Sequence, residues 1–89
     1  MDLPFSEDDA ADRFFEDLLD AVDQQLASPA TPFVSKTLDR LVREGLEPEE
    51  AREAIARVLA EETDRVVRTK RPFDLEGYRK SLERISPGS

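Results

Sequence analysis

Carboxylates are the side chains best suited to chemistry in this chain, which has neither histidine nor cysteine. The commonest metal ligand, the commonest base at neutral pH and the thiolate nucleophile are therefore all missing. Asp12, Glu16, Asp20 and Asp23 recur at spacings of three and four residues, which places them on one face of a helix. Such a face could attract a hard cation, but without the carbonyl ligands of a calcium loop it would bind one weakly. We therefore predict no metal site and no cofactor.

Glu62 is a second carboxylate in an unusual place. At 100° per residue it falls between Val58, Leu59 and Val66, in the middle of an apolar helical stripe. A functional interpretation makes it a buried acid that works with Tyr78 in a ligand-binding or enzymatic cleft. A structural interpretation gives it a salt bridge or hydrogen bond to a nearby arginine or to Tyr78, or an exposed helix end. Since no nucleophile motif or glycine-rich phosphate loop accompanies it, we expect no catalytic residue and no enzyme.

Four amphipathic helices can be read from the apolar spacing, at about 7–27, 32–44, 48–69 and 75–85. Their ends carry capping residues: Ser6 with Asp9 before the first, Thr31 before Pro32, and Asp74 before the last. No stretch alternates apolar and polar residues as a strand would. The prediction is an all-α fold, a compact bundle of four helices joined by short loops in a single domain over 1–89, frayed at 1–5 and 86–89.

Local details of this bundle can also be predicted. Gly45 should end the second helix in the left-handed conformation, with Leu46 completing a Schellman turn. Phe73 and Tyr78 have the spacing of a hydrophobic staple. A ladder of alternating charges is expected on the outer side of the third helix, at Glu53, Arg57, Glu61 and Arg65. The residues predicted to face the core are Ala11, Phe14, Phe15, Leu18, Leu19, Val22, Leu26, Val34, Leu38, Leu41, Val42, Ala51, Ala54, Ile55, Val58, Leu59, Val66, Leu75, Tyr78, Leu82 and Ile85.

Net charge is concentrated at one end of the chain. Residues 1–31 hold nine acidic residues and one arginine, so they carry the whole formal charge of −8. Residues 32–89 hold twelve acidic and twelve basic residues. A block of this kind is either a solvated helix face or an interaction surface.

The segment 42–55 has the pattern of a helix-turn-helix, a common DNA-binding motif. Its second helix would present Glu47, Glu49, Glu50 and Glu53 to the DNA, and four carboxylates would repel the phosphate backbone. We therefore expect no nucleic-acid partner. No apolar run is long enough to span a bilayer and the first residues lack a signal-peptide pattern, so we expect a cytoplasmic protein with no membrane contact.

A resemblance to a known family covers residues 37–85. It depends on the run EPEEAREAIARVLAEE from Glu47, on RPFD from Arg71, and on Tyr78 and Leu82. This pattern resembles a small bacterial all-helical family that is classed only as a domain of unknown function. Members of that family often carry histidines, as a pair that could bind a metal, at the positions of Glu49 and Glu53. This chain has neither histidine, so the resemblance does not carry a metal site over to it; it implies a helical fold and leaves the function open.

The function expected from these observations is a non-catalytic protein-interaction module. Its acidic first helix would contact a protein partner or a second copy of the chain, as a homodimer. The residues expected to make the contact are Asp12, Phe14, Phe15, Glu16, Asp20 and Asp23. The alternative is the ligand-binding or enzymatic cleft at Glu62 and Tyr78.

Overall fold

Four helices make up the part of the chain that the computed structural model describes, residues 7–87, with side chains described from Arg13 onward. They are α1 (Glu7–Ala27), α2 (Pro32–Arg43), α3 (Pro48–Thr69) and α4 (Leu75–Glu83). No strand occurs between residues 7 and 87. The predicted all-α four-helix bundle is confirmed, and every helix boundary lies within two residues of its predicted place.

The connection from α2 to α3 is a Schellman turn centred on Gly45. This glycine has a φ of +115°, which side chains with a Cβ resist. The Leu46 amide donates to the Leu41 carbonyl at 3.0 Å, and the Gly45 amide donates to the Val42 carbonyl at 3.1 Å. These two bonds satisfy carbonyls that the helix end would leave free. The prediction for Gly45 and Leu46 is confirmed.

The start of α4 is fixed by a cap and a staple. The Gly77 amide donates to Oδ1 of Asp74 at 3.0 Å, so the carboxylate satisfies a free amide of the first turn. The rings of Phe73 and Tyr78 meet edge to face with centroids 5.5 Å apart. Both predictions are confirmed, and together they set the direction in which α4 leaves the loop.

Every helix contributes to one apolar core, and α3 packs against each of the other three. The largest side chains without solvent exposure are Tyr78, Leu41, Ile55, Leu82, Val22 and Val34. Phe15, Leu19 and Leu26 are partly buried against this core. The apolar stripe of α1 is therefore covered from Phe15 to Leu26 by its own bundle, whereas Phe14 remains 52% exposed.

Phe14 was predicted to face the core and is half exposed, and two further residues of that predicted set are exposed as well. Val42 is 39% exposed and Leu75, the first residue of α4, is 47% exposed. Angular position gives the side of a helix on which a residue lies, but it does not say whether a neighbouring helix extends far enough to cover that residue. Both residues lie near the end of a helix, so the prediction that they are buried was wrong.

The cap at Thr31 also differs from the prediction. Thr31 precedes Pro32 at the start of α2 as expected, but its side chain makes no capping hydrogen bond to that helix. Its hydroxyl instead donates to the Gln25 carbonyl at 2.9 Å, near the end of α1. The residue thus satisfies a free carbonyl of the preceding helix, and the first position of the next helix is a proline with no amide to satisfy.

The charge ladder predicted on α3 does not form among the described residues. Arg65 pairs with Glu62, and Arg68 pairs with Asp64. The paired residues are again three or four apart, as helical geometry requires, but they are different pairs. The predicted cap at Ser6 and Asp9 and the stripe residue Ala11 lie outside the described side chains.

Candidate interaction surface and the Glu62 cleft

The exposed side of α1 carries what we call the acidic surface: Glu16, Asp17 and Asp20, with Arg13 among them. All four side chains are exposed. Within residues 13–87 none of the three carboxylates takes part in an ion pair or hydrogen bond. Charges that no described side chain neutralises are available to a second molecule.

Phe14 lies at the border between this surface and the core. Asp17 follows it by three residues and Leu18 by four, so helical geometry makes both of them its neighbours. Leu18 is buried, whereas Phe14 is half exposed. An exposed aromatic ring beside unpaired carboxylates gives α1 an apolar and a charged element next to each other.

Asp23 has a different environment from the other predicted acids of α1. Its Oδ1 and Oδ2 accept hydrogen bonds from Nε and Nη2 of Arg52, each at 2.7 Å. Arg52 also donates from Nη1 to Glu49 at 3.0 Å. The hydrogen bonds from Arg52 lower the pKa of the Asp23 carboxyl, because they favour its charged form. Asp23 therefore joins α1 to α3 and is already occupied within the molecule.

Asp12 and Phe15 complete the predicted contact set. The side chain of Asp12 lies outside the described residues. Phe15 packs partly against the core, so less of it than of Phe14 is available to a partner. Among the predicted contact residues with described side chains, Phe14 is half exposed, and Glu16 and Asp20 are exposed and unpaired within residues 13–87. Asp17 was not predicted but has the same properties as these two acids.

An open groove of about 830 Å³ lies along α2 and the start of α3. We call it the α2 groove, and its apolar residues are Leu38, Val42 and Pro48. Since α2 packs against α1, the groove and the acidic surface lie on neighbouring helices. This groove had no sign in the sequence, because Val42 has the spacing of a core residue.

Charged residues border the α2 groove. They are Lys36, Asp39 and Arg43, all exposed. In the described part of the chain none of the three takes part in an ion pair or hydrogen bond. The groove therefore combines an apolar lining with a border of one carboxylate and two cations.

Glu62 is buried within the apolar side of α3, as its position predicted, with 3% of its surface exposed. Nη1 of Arg65 lies 3.5 Å from its Oε2, which agrees with the salt-bridge interpretation. Glu62 also lines a cleft of about 390 Å³ at the end of α3, with Arg65, Thr69, Arg71 and Asp74 among its neighbours. We call this the Glu62 cleft, and its charged residues are two carboxylates and two guanidinium groups.

Tyr78 lies apart from that cleft. It has no exposed surface, and its hydroxyl donates to Oε1 of Gln25 at 2.7 Å. Its ring also meets Phe33 edge to face, with centroids 5.9 Å apart. Burial raises the pKa of the Tyr78 phenol, because the charged form would lose its hydration. Tyr78 thus ties α4 to α1, and it does not line the cleft beside Glu62 as the alternative function required.

Besides the pair of Asp23 and Arg52, two further polar ties between helices had no signal in the sequence. One is Gln25, the partner of Tyr78. The other is Arg40, which donates to the Leu82 carbonyl at 3.1 Å and to Glu44 at 2.9 Å. A lone Gln or Arg on a helix gives no sequence signal of its partner, because the partner is set by how the helices pack.

The described residues also bear on metal binding, membrane insertion and DNA binding. Within the described part of the chain, no three or more acidic side chains are grouped so as to hold a metal ion. None of the described helices combines the length and the apolar character needed to cross a bilayer. At the start of α3, Glu47, Glu49 and Glu50 are exposed, so the helix-turn-helix segment presents carboxylates there.

Comparison with known proteins gives no relative from which a function could be carried over. No family model, no curated protein sequence and no solved structure matches this chain.

Proposed function

We propose that this protein is a non-catalytic interaction module that binds a protein partner through the acidic surface of α1 and Phe14. One observation carries the proposal. Glu16, Asp17 and Asp20 are exposed and unpaired within residues 13–87, next to a half-exposed Phe14, whereas Asp23 on the same helix is held by Arg52. The resemblance to a helical family without a known activity is compatible with a module of this kind.

Phe14 would provide affinity, and the carboxylates would orient the partner. Burying a phenylalanine side chain contributes about 1.5–3 kcal/mol relative to leaving it exposed, and a partner would cover the half of Phe14 that is still open. A surface ion pair contributes only about 0.2–1 kcal/mol, but complementary charges speed association and reject wrong partners. The contact would therefore combine a modest apolar anchor with electrostatic selection.

The chemistry of the partner follows from that of the surface. Unpaired carboxylates select cations, and Phe14 selects an apolar neighbour, so the partner presents basic side chains around an apolar patch. Nucleic acid has the wrong sign, because the chain carries a formal charge of −8 and binding to phosphates depends on basic residues.

Binding of an amphipathic helical peptide, with leucines on one face and lysines on the other, tests the proposal. We expect its affinity to fall as ionic strength rises, because salt screens exposed charge pairs. The variant E16Q/D20N should lose most of this salt dependence, and F14S should bind more weakly at every salt concentration. The proposal fails if E16Q/D20N and F14S bind the peptide as the unmodified protein does.

A matched control is available on α3. Glu53 and Glu61 are eight residues apart and, within the described residues, neither takes part in an ion pair. The variant E53Q/E61Q therefore removes as many negative charges as E16Q/D20N does, but from another surface. If both variants lose affinity equally, net charge alone attracts the peptide and the acidic surface of α1 is not a specific site.

A second candidate function is small-molecule binding in the Glu62 cleft. It is favoured by a carboxylate that is 3% exposed yet lines a cleft beside Arg65 and Arg71. Such a pairing of signs suits a small zwitterion, with an ammonium group at Glu62 and a carboxylate at the two arginines. Ligand-detected NMR with free amino acids tests this candidate, since binding should be lost in E62Q. If no amino acid binds the unmodified protein, the candidate is rejected.

A further inference from the structure

We infer that the partner of the acidic surface is a second copy of this chain, whose α2 groove receives Phe14. The inference rests on the proposed function and names the partner for the same surface. It follows from three features of the molecule: an exposed aromatic ring, an apolar groove and matching charges.

The apolar elements are complementary in chemical character. Phe14 projects from α1 with 52% of its surface exposed, so its own bundle does not bury it. The α2 groove offers an apolar lining of Leu38, Val42 and Pro48, with Val42 39% exposed. The half-exposed ring and the apolar lining of the groove would each lose solvent-exposed surface if they met.

The charges match in both signs. Within residues 13–87, Glu16, Asp17 and Asp20 are unpaired anions on α1, and Lys36 and Arg43 are unpaired cations at the groove. Each surface also carries one charge of the opposite sign, and these two charges complement each other. Arg13 is the cation within the acidic surface and Asp39 is the anion at the groove, and neither has a partner in the described part of the chain.

The placement of the two surfaces favours a closed dimer. In a dimer with two-fold symmetry, each copy must present both the projecting residue and the groove, and each contact then occurs twice. Because α1 and α2 pack against each other, one side of the molecule can carry both. We therefore expect association to stop at two copies rather than continue as a filament.

Two chains of charge −8 also repel each other, so raising the salt concentration would weaken both the repulsion and the specific attraction. Salt dependence is therefore a poor test of self-association. A better test exchanges the charges of the two surfaces by substitution. E16K/D20K makes both surfaces basic, K36E/R43E makes both acidic, and the fourfold variant E16K/D20K/K36E/R43E exchanges them at unchanged net charge.

Sedimentation analysis across a concentration series measures the result. The unmodified chain of 10.1 kDa should associate to twice that mass, and each double variant alone should remain a monomer. An equimolar mixture of the two double variants should give a heterodimer, and the fourfold variant should recover the homodimer. Circular dichroism should show that all variants keep their helices.

The aromatic contact has its own test and control. F14S should weaken dimerisation roughly tenfold or more, since an isologous dimer loses the anchor twice. Val67, 69% exposed on α3, is the control, and V67S should dimerise like the unmodified chain. A dimer that forms equally well with F14S, or a fourfold variant that stays monomeric while the unmodified chain dimerises, overturns the inference.

Failure of this inference can be told apart from failure of the proposed function. If the unmodified chain is a monomer at every concentration but still binds the basic peptide through Glu16 and Asp20, self-association is wrong and the interaction module stands. If the chain also fails to bind the peptide, both are wrong. If it dimerises and E16K/D20K dimerises unchanged, the acidic surface is not the contact.

Discussion

Arg52 holds Asp23 with two hydrogen bonds of 2.7 Å and so joins the third helix to the first. The arrangement is bidentate, with the planar guanidinium matching the two carboxylate oxygens. It anchors α1 by its second half, and the free carboxylates Glu16 and Asp17 lie in the preceding turns. One helix thus contains an acid used for folding and acids open to a partner.

Replacing Asp23 with asparagine should destabilise the bundle by about 1 kcal/mol, near the upper end for partly exposed ion pairs. The pH dependence should change as well. The pKa of Asp23 is lowered on folding, so its contribution is fully present above the pKa of an unfolded aspartate, about 3.9. That contribution is lost as pH falls through the lower pKa of the folded state. Urea unfolding between neutral pH and acid should therefore show a smaller acid-induced loss in D23N.

Asp20 provides the control for this experiment. It lies on the same helix and is exposed, and no residue within 13–87 pairs with it. D20N should leave both the urea midpoint and its pH dependence nearly unchanged. Equal behaviour of D23N and D20N would mean that the bidentate pair contributes nothing to stability.

Removing the Tyr78 hydroxyl should cost stability. Y78F loses the hydrogen bond to Gln25, and such bonds contribute about 0.5–1.5 kcal/mol. If the bond is the cause, the double variant Y78F/Q25A should be less destabilised than the sum of its single variants. Thermal unfolding of the four proteins measures this coupling, and full additivity would contradict it.

Tyr78 should also make the bundle sensitive to alkali. Burial raises its pKa, so the folded state keeps the phenol proton at a pH where the unfolded state loses it. Its contribution to stability is therefore fully present below the unfolded tyrosine pKa, about 10, and decreases as pH rises above that value. The chain has a single tyrosine and no tryptophan, so absorbance near 295 nm reports this group alone. Ionisation should coincide with loss of helical circular dichroism, and phenolate in a still folded protein would be the opposite result.

Gly45 should resist substitution because of its backbone and not because of crowding. Its φ is +115°, yet a Cβ at this position would meet no heavy atom within 4 Å. G45A should therefore destabilise the protein by about 1–2 kcal/mol through backbone strain alone. Chemical denaturation measures this loss. Equal stability of G45A and the unmodified protein would show that the turn relaxes.

The sequence predicted the helices well because their signals are local. Gly45, Asp74 and the pair of Phe73 and Tyr78 act within a few residues of themselves, and each does what its local pattern indicates. Helical periodicity also placed Glu62 correctly on the buried side of α3. Signals that act over so few residues can be recognised without knowledge of the tertiary structure.

The candidate site was predicted only in part, because it depends on which helices meet. The acids of α1 look equivalent in sequence, but packing brings Arg52 to Asp23, whereas no residue within 13–87 pairs with Glu16 or Asp20. The α2 groove was invisible since Val42 has the spacing of a core residue. Tyr78 was paired with Glu62 by chemistry alone, whereas the fold directs its hydroxyl to Gln25.

Substitutions at Glu62 and Arg65 can separate a structural carboxylate from one kept for binding. Glu62 is buried, and the guanidinium of Arg65 that pairs with it is more than half exposed. Removing Arg65 leaves a buried carboxylate without its counterion, so R65M should destabilise the bundle. Replacing Glu62 with leucine removes the charge that must be buried, so E62L should be neutral or stabilising. If E62L is instead strongly destabilised in urea unfolding, Glu62 is required for packing. A stabilised E62L would mean that the native chain keeps a buried charge at the expense of stability, which is typical of a residue retained for binding.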